Sequence, residues 1–254
     1  DQPGVAMQTD PHLINPWGIS FGPNTPFWVA DNGKGASTLY QESGVTFPNS
    51  ASPLVVTIPA PAGVTGPATP TGTVFNGTPG FALAPGKPAL FLFATEEGTL
   101  SGWSPSVDAT HALLVVNNAP GAVYTGLALL GDQLFAANFR TNKVDVYNSD
   151  FSPAGSFTDP TVPAGFAPFG IQALNNVLYV TYAKQANDRR TDVPGPGNGY
   201  VDTFDPSTHA FTRLVSGGTA SSPLNSPWGL ALAPAGFGTA SGQLLVGNFR
   251  DGWI

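Results

Sequence analysis

A glycine-centred apolar phrase recurs five times along this chain: Asn15-Pro16-Trp17-Gly18-Ile19, Thr78-Pro79-Gly80-Phe81-Ala82, Tyr124-Thr125-Gly126-Leu127-Ala128, Ala167-Pro168-Phe169-Gly170-Ile171 and Ser226-Pro227-Trp228-Gly229-Leu230. The glycines stand 62, 46, 44 and 59 residues apart. That period suits a unit that buries its faces only by stacking on copies of itself. The repeat predicts a β-propeller with the phrases as innermost strands, and it places candidate function on the loops around a central channel.

The rest of each unit supports this reading. A near-continuous apolar second strand follows each glycine segment: Phe27–Ala30, Leu90–Phe93, Gln133–Ala137, Val177–Val180 and Leu244–Gly247. Runs of this kind suit strands covered on both faces. An alternating third strand comes next, as in Lys143-Val144-Asp145-Val146-Tyr147, and then a fourth, as in Leu54–Ile58, Ala112–Val116 and Phe211–Val215. No amphipathic helix is predicted. The 31 Gly and 26 Pro fall between the strands and read as turns.

The fifth unit ends soon after its second strand, at Gly252-Trp253-Ile254. A ring left open there would expose a strand edge, which propellers avoid by closing. The expectation is therefore one propeller domain over 1–254, six-bladed in its full form. The chain would carry about four and a half to five blades, incomplete at the C-terminus and slightly at the N-terminus.

Charge excludes several partners. With 9 Lys+Arg against 16 Asp+Glu, the net charge is −7. No basic run exists to neutralise nucleic-acid phosphates or an anionic membrane surface. The chain has no cysteine, which removes disulfides, thiol catalysis and cysteine metal sites. It starts at Asp1 without a methionine and holds no run of 18 apolar residues, so a processed terminus and no transmembrane segment are expected.

The chain resembles a family of uncharacterised, secreted bacterial proteins of NHL-like β-propeller type, some of which carry a C-terminal surface-sorting signal. The residues that carry the resemblance include Trp28-Val29-Ala30-Asp31-Asn32-Gly33, Phe93-Ala94-Thr95-Glu96-Glu97-Gly98, Ala137-Asn138-Phe139-Arg140, Phe157-Thr158-Asp159-Pro160, Val180-Thr181-Tyr182-Ala183-Lys184-Gln185 and Asn225-Ser226-Pro227-Trp228-Gly229-Leu230. The resemblance implies the fold and export to the medium or the bacterial cell surface. It brings no catalytic residues with it.

Ten residues just after the second strands are the candidate ligand-binding set: Asp31, Asn32, Glu96, Glu97, Asn138, Arg140, Tyr182, Lys184, Asn248 and Arg250. If the units are equivalent, they ring one mouth of the channel. The competing reading is that Asp and Asn close turns there by bonding backbone amides. Asp31, Glu96 and Glu97 offer hard oxygen ligands that suit Ca²⁺. The first functional expectation is a binding module for a small polar molecule, a sugar or polysaccharide, or a cation. The second is a calcium-dependent hydrolase of lactonase or esterase type, or a lyase, with His12 the one histidine near the mouth. The third is an adhesive surface protein that self-associates. The charged loop 186–199 is the candidate lid.

Overall fold

A computed structural model describes residues 4–254. The first sheet is β1 (Pro16–Ser20), β2 (Phe27–Asp31), β3 (Ala36–Tyr40) and β4 (Val55–Thr57), antiparallel in that order. The second is β5 (Pro70–Phe75), β8 (Phe91–Thr95), β9 (Thr99–Trp103) and β10 (Leu113–Asn117), interrupted by a small hairpin, β6 (Ala82–Ala84) and β7 (Lys87–Pro88). The third runs β11 (Tyr124–Leu130), β12 (Gln133–Asn138), β13 (Lys143–Asn148), β14 (Pro153–Phe157). The fourth runs β15 (Phe166–Leu174), β16 (Val177–Lys184), β17 (Gly199–Asp205), β18 (Ala210–Val215). A two-stranded sheet, β19 (Pro227–Leu232) and β20 (Leu244–Asn248), completes the series. Among the described residues the only helical segment is a single 3-10 turn, Gly238–Ala240, so nothing is long and apolar enough to cross a membrane as a helix.

Each sheet's first strand packs beside the next sheet's first strand: β1 on β5, β5 on β11, β11 on β15, β15 on β19. This gives four complete blades and a two-stranded fifth about a common channel. Backbones approach closely there because the inner strands carry glycine at the contact. A Cβ on Gly18 would stand 2.5 Å from the Thr71 carbonyl oxygen, and one on Gly170 would overlap the carbonyl of Trp228.

One expected strand is corrected. The inner glycine of the second unit is Gly72, in Pro70-Thr71-Gly72-Thr73-Val74, and not Gly80. With Gly72 the spacings become 54, 54, 44 and 59 residues. Gly80-Phe81-Ala82-Leu83 instead opens the inserted hairpin. Phe81 adopts φ +58° and buries its ring against Phe151, with centroids 5.4 Å apart. The threonines flanking Gly72 mask the strand, whereas Pro79-Gly80-Phe81 imitates the aromatic form of the phrase.

The core lies between blades. Trp28 of the first blade stacks on Phe91 of the second at 4.2 Å, with Trp103 at 4.6 Å. Leu92, Leu100, Leu127, Leu134 and Tyr147 join the second and third. Phe157 of the third lies flat on Phe204 of the fourth at 3.8 Å. Aromatic pairs of this kind add ~0.5–1.5 kcal/mol each beyond the area they bury.

Candidate functional site

One backbone bond recurs at the same register position in four of the five units and fixes one mouth of the channel. The residue after each second strand donates its N–H to the carbonyl just before the inner strand. The pairs are Asn32 to Asn15, Glu96 to Thr69, Phe139 to Val123 and Phe249 to Ser226, at 2.8–3.2 Å; in the fourth blade, whose ladder runs two residues further, the matching pair is Ala183 and Ala167 and the bond at the strand end is Gln185 to Gly165. Counted from the inner glycines, the equivalent ring positions are Asn32, Glu96, Phe139, Ala183 and Phe249. The sequence set contained the first two and the neighbours of the other three. The near-repeat of Asn138-Phe139-Arg140 in Asn248-Phe249-Arg250 held the missing signal, since the central residue faces the axis in both.

Those phenylalanines help to close the mouth. Trp17 of β1 sits 5.6 Å from Trp228 of β19, 4.8 Å from Phe249 and 6.1 Å from Phe169 of β15, and Phe169 lies 5.2 Å from Phe139. Five aromatic rings thus pack over the N-terminal ends of the inner strands. The Trp228 indole N–H donates to the Thr125 carbonyl at 2.8 Å.

Most of the ten candidate residues are occupied by structural bonds. Asp31 is fully buried and accepts from the Thr38 hydroxyl at 2.7 Å. Its other carboxylate oxygen has no hydrogen-bond partner, and burial pushes its pKa up to about 7. Asn138 bridges the Val123 and Thr141 amides and donates to Asp145 at 2.8 Å. Asn248 does the same work in the fifth unit, accepting from the Asn225 amide and donating to the Pro223 carbonyl. Tyr182 is buried in the core between the third and fourth blades, and burial raises its hydroxyl pKa. Arg250 holds Asp192 with both Nε (2.7 Å) and Nη2 (2.5 Å).

One contact joins neighbouring blades at this mouth. Asn15 donates to the Asn32 side chain at 3.0 Å, which donates to Glu96 at 3.2 Å. Within the second blade, Glu97 accepts from both the amide and the hydroxyl of Thr69. Arg140 is half-buried and Lys184 exposed, and neither forms an ion pair among the described residues. Also among the described residues, no group of three or more His, Asp or Glu side chains converges to hold a metal ion. The loop 186–199 is docked on the fifth unit through Asp192 to Arg250 and the Gly195 amide to Asn225 at 2.7 Å, not laid over the channel.

Further polar clusters sit between blades. Asp202 of β17 is buried and paired with Arg213 of β18, whose guanidinium also lies 3.7 Å from Asp159. Burial raises the Asp202 pKa against the pull of Arg213, and the neighbouring Asp159 adds to the rise. In the first blade, Asp10 accepts from His12 Nδ1 at 2.9 Å and from the Tyr40 hydroxyl at 2.8 Å. Burial works against the Asp10 carboxylate, but the His12 amide and the Tyr40 hydroxyl outweigh it and hold its pKa low. This trio borders a cavity of about 660 Å³ against the outer face of the first blade, lined by Trp17, Ile19 and Val29 among others.

Between the inner strands the channel is narrow, about 100 Å³, and walled by Gly18, Gly72, Gly126, Gly170 and Gly229. At the C-terminal ends of the same strands, opposite the aromatic rings, it widens into a funnel of about 330 Å³. Ser20, Phe21, Thr73, Leu129 and Gln172 are among its walls.

Four antiparallel four-stranded blades packed by their first strands define an all-β protein of propeller type. The solved structures agree at the level of fold. The chain superposes on a protein from Lactobacillus plantarum with a TM-score of 0.56 at 13% identity, over 93% of this chain and 64% of that one. It superposes on virginiamycin B lyase from Staphylococcus aureus with a TM-score of 0.50 at 13% identity, over 85% and 73%. The chain belongs to the family of uncharacterized protein L690 of Acanthamoeba polyphaga mimivirus, being 32% identical to it over 98% of this chain and 67% of the relative. Uncharacterized protein R648 of the same virus is 34% identical, over 98% of this chain and 62% of the relative. The chain thus spans about two thirds of the length of these relatives. They are viral, whereas the resemblance read from the phrases was to bacterial proteins. No protein-family model matches the chain.

Proposed function

We propose that this chain is the ligand-binding propeller of an exported or surface protein, six-bladed when its ring is closed, and that it takes a small polar molecule at the open mouth of the channel. The observation that carries the reading is the asymmetry of the channel. Five rings pack over one end, while the other widens into a cavity at the lower limit of the ~300–1,000 Å³ usual for small-molecule sites.

The blade count is supported by unequal burial at equivalent positions. Leu127 of the third blade is 3% exposed because the second blade covers it, while its first-blade counterpart Ile19 is 64% exposed. A sixth blade between the fifth and the first would bury that face.

The test is a thermal-shift panel of sugars, amino acids, nucleosides and CaCl₂. A ligand that binds only the folded state raises the melting midpoint by mass action. The expected result is stabilisation by at least one class, lost in Gln172→Trp, which fills the funnel. Stabilisation that persists in that variant would place the ligand elsewhere.

One observation favours a second reading, a hydrolase. His12, half-exposed and oriented by Asp10, borders the 660 Å³ cavity on the uncovered face of the first blade and has the geometry of a carboxylate-supported general base, a reading that requires a sixth blade to leave that cavity open. Hydrolysis of a chromogenic ester or lactone, abolished by His12→Ala, would support it. A calcium-dependent form draws no such support. Glu96 and Glu97 are bonded to Asn32 and Thr69, and Asp31 to Thr38.

A further inference from the structure

We infer that the cleft between the second and third blades binds arginine through its guanidinium, at a site independent of the funnel and of how the ring closes. The chain holds its own template for such a ligand one junction further on. Between the third and fourth blades, Asp202 of β17 stands opposite Arg213 of β18. The guanidinium bonds both Asp202 carboxylate oxygens and donates to Thr161 Oγ1 at 3.0 Å. It lies 3.7 Å from Asp159 and 4.8 Å over the Tyr200 ring. The cation that a buried carboxylate requires is there part of the chain.

One junction earlier, the carboxylate is present and the cation is missing. Counted from the inner glycines, Asp145 of β13 matches Asp202: they pair with Ala136 and Val180, each one residue before the glycine's own partner. Opposite Asp145 on the fourth strand is Ser156, where the next blade has Arg213. Asn118 holds the place of Asp159, two residues past the partners of Leu100 and Val144. The first two blades carry Thr38 and Ser101 at the Asp145 position, so only the third has the acid without its cation. A serine in place of an arginine leaves room. The result is a cavity of about 490 Å³ lined by Asn118, Asn138, Thr141, Lys143, Asp145 and Ser156, among others.

The walls offer acceptors to a group that has five N–H donors and no acceptor. Asn138 Nδ2 and the Tyr124 hydroxyl both donate to Asp145 Oδ2, at 2.8 and 3.0 Å, and among the described residues nothing donates to Oδ1. Asn118 gives its amide N–H groups to the hydroxyls of Tyr124 and Tyr147, at 2.7 Å each, which leaves its oxygen to accept. Lys143 sets the other end of the ligand. It occupies the position of Tyr200, two residues before the carboxylate on the same face of the strand. It is exposed and forms no ion pair among the described residues. An ammonium about 7 Å along the strand repels a bare cation and attracts a carboxylate. Arginine carries both charges, at opposite ends of one extended molecule.

The experiment is NMR titration of the ¹⁵N-labelled chain with L-arginine, with citrulline as its uncharged isostere and agmatine as the analogue without a carboxylate. The expected result is saturable shifts of the Asn118, Thr141, Lys143, Asp145 and Ser156 amides with arginine. Citrulline should bind roughly 10- to 100-fold more weakly, the loss of a charged hydrogen-bonded pair. Agmatine should fall between the two. Ser156→Arg, at an exposed strand position, should rebuild the arrangement of the next blade and abolish these shifts, with a folded spectrum. Citrulline binding as tightly as arginine, arginine binding that survives in Ser156→Arg, or no saturable shift at all would overturn the site. Agmatine binding as tightly as arginine would overturn the role of Lys143. Shifts confined to Ser20, Thr73 and Gln172 would put arginine in the funnel and overturn the cleft.

Discussion

The indole N–H of Trp228 reaches past the fourth inner strand to the Thr125 carbonyl on the third, at 2.8 Å. It ties the two-stranded fifth unit to the ring across the channel axis, where side-by-side strand contacts alone would not. Trp228→Phe keeps an aromatic ring but leaves that carbonyl unpaired. The expected loss is ~1–3 kcal/mol, measured as a lower urea midpoint. An unchanged midpoint would mean that water replaces the bond at no cost.

Equivalent glycines should not be equally sensitive. A Cβ on Gly170 would collide with the Trp228 carbonyl and lie 2.8 Å from Thr181 Oγ1, whereas one on Gly229 meets nothing within 4 Å. Gly170→Ala is expected to cost at least ~1–3 kcal/mol through overpacking, and Gly229→Ala to stay within ~0.5 kcal/mol. Equal effects in chemical denaturation would contradict the packing of the inner strands.

Stability should fall as pH rises from about 4 towards 7. Asp31, pushed up to about 7 by burial, keeps its proton in the folded chain, while in the unfolded chain it loses it near 3.8. Between those values the folded state binds the extra proton, so the contribution is full below the unfolded pKa and is lost as pH passes the folded one. Asp202 acts in the same direction. Urea midpoints at pH 5 and 7.5 check this, and Asp31→Asn should flatten the slope. A midpoint that rises over this interval, with Asp31→Asn parallel to the native chain, would refute the raised pKa.

The pair of Arg250 and Asp192 pins the loop 186–199. Arg250→Gln should speed tryptic cleavage after the exposed Arg189 and Arg190 several-fold. The folding midpoint should move by no more than ~1–2 kcal/mol, because the guanidinium is part-exposed and solvent screens it. Unchanged cleavage would mean that the Gly195 to Asn225 bond suffices to hold the loop.

Much of the fold was legible because it depends on local pattern. Second strands such as Phe27–Ala30 and Gln133–Ala137 are apolar on both faces, and that is visible residue by residue. The Gly72 strand escaped because its glycine is needed for contact with the neighbouring blade at Leu127, which no local pattern encodes. The mouth was misjudged by one residue for a similar reason. Asn138 and Asn248 look like ligand groups in sequence, but the ladder register turns them into their own loops and aims Phe139 and Phe249 at the axis.

The sequence by itself determined the repeating unit, the all-β class and the absence of a basic surface, since strand alternation, turn residues and charge are short-range or additive properties. Only the tertiary structure decided which end of the channel is filled by aromatic rings and which is open, and which polar side chains are taken up by neighbours. Those outcomes depend on how side chains from strands far apart in the chain meet around one axis, and spacing along the backbone does not specify that meeting.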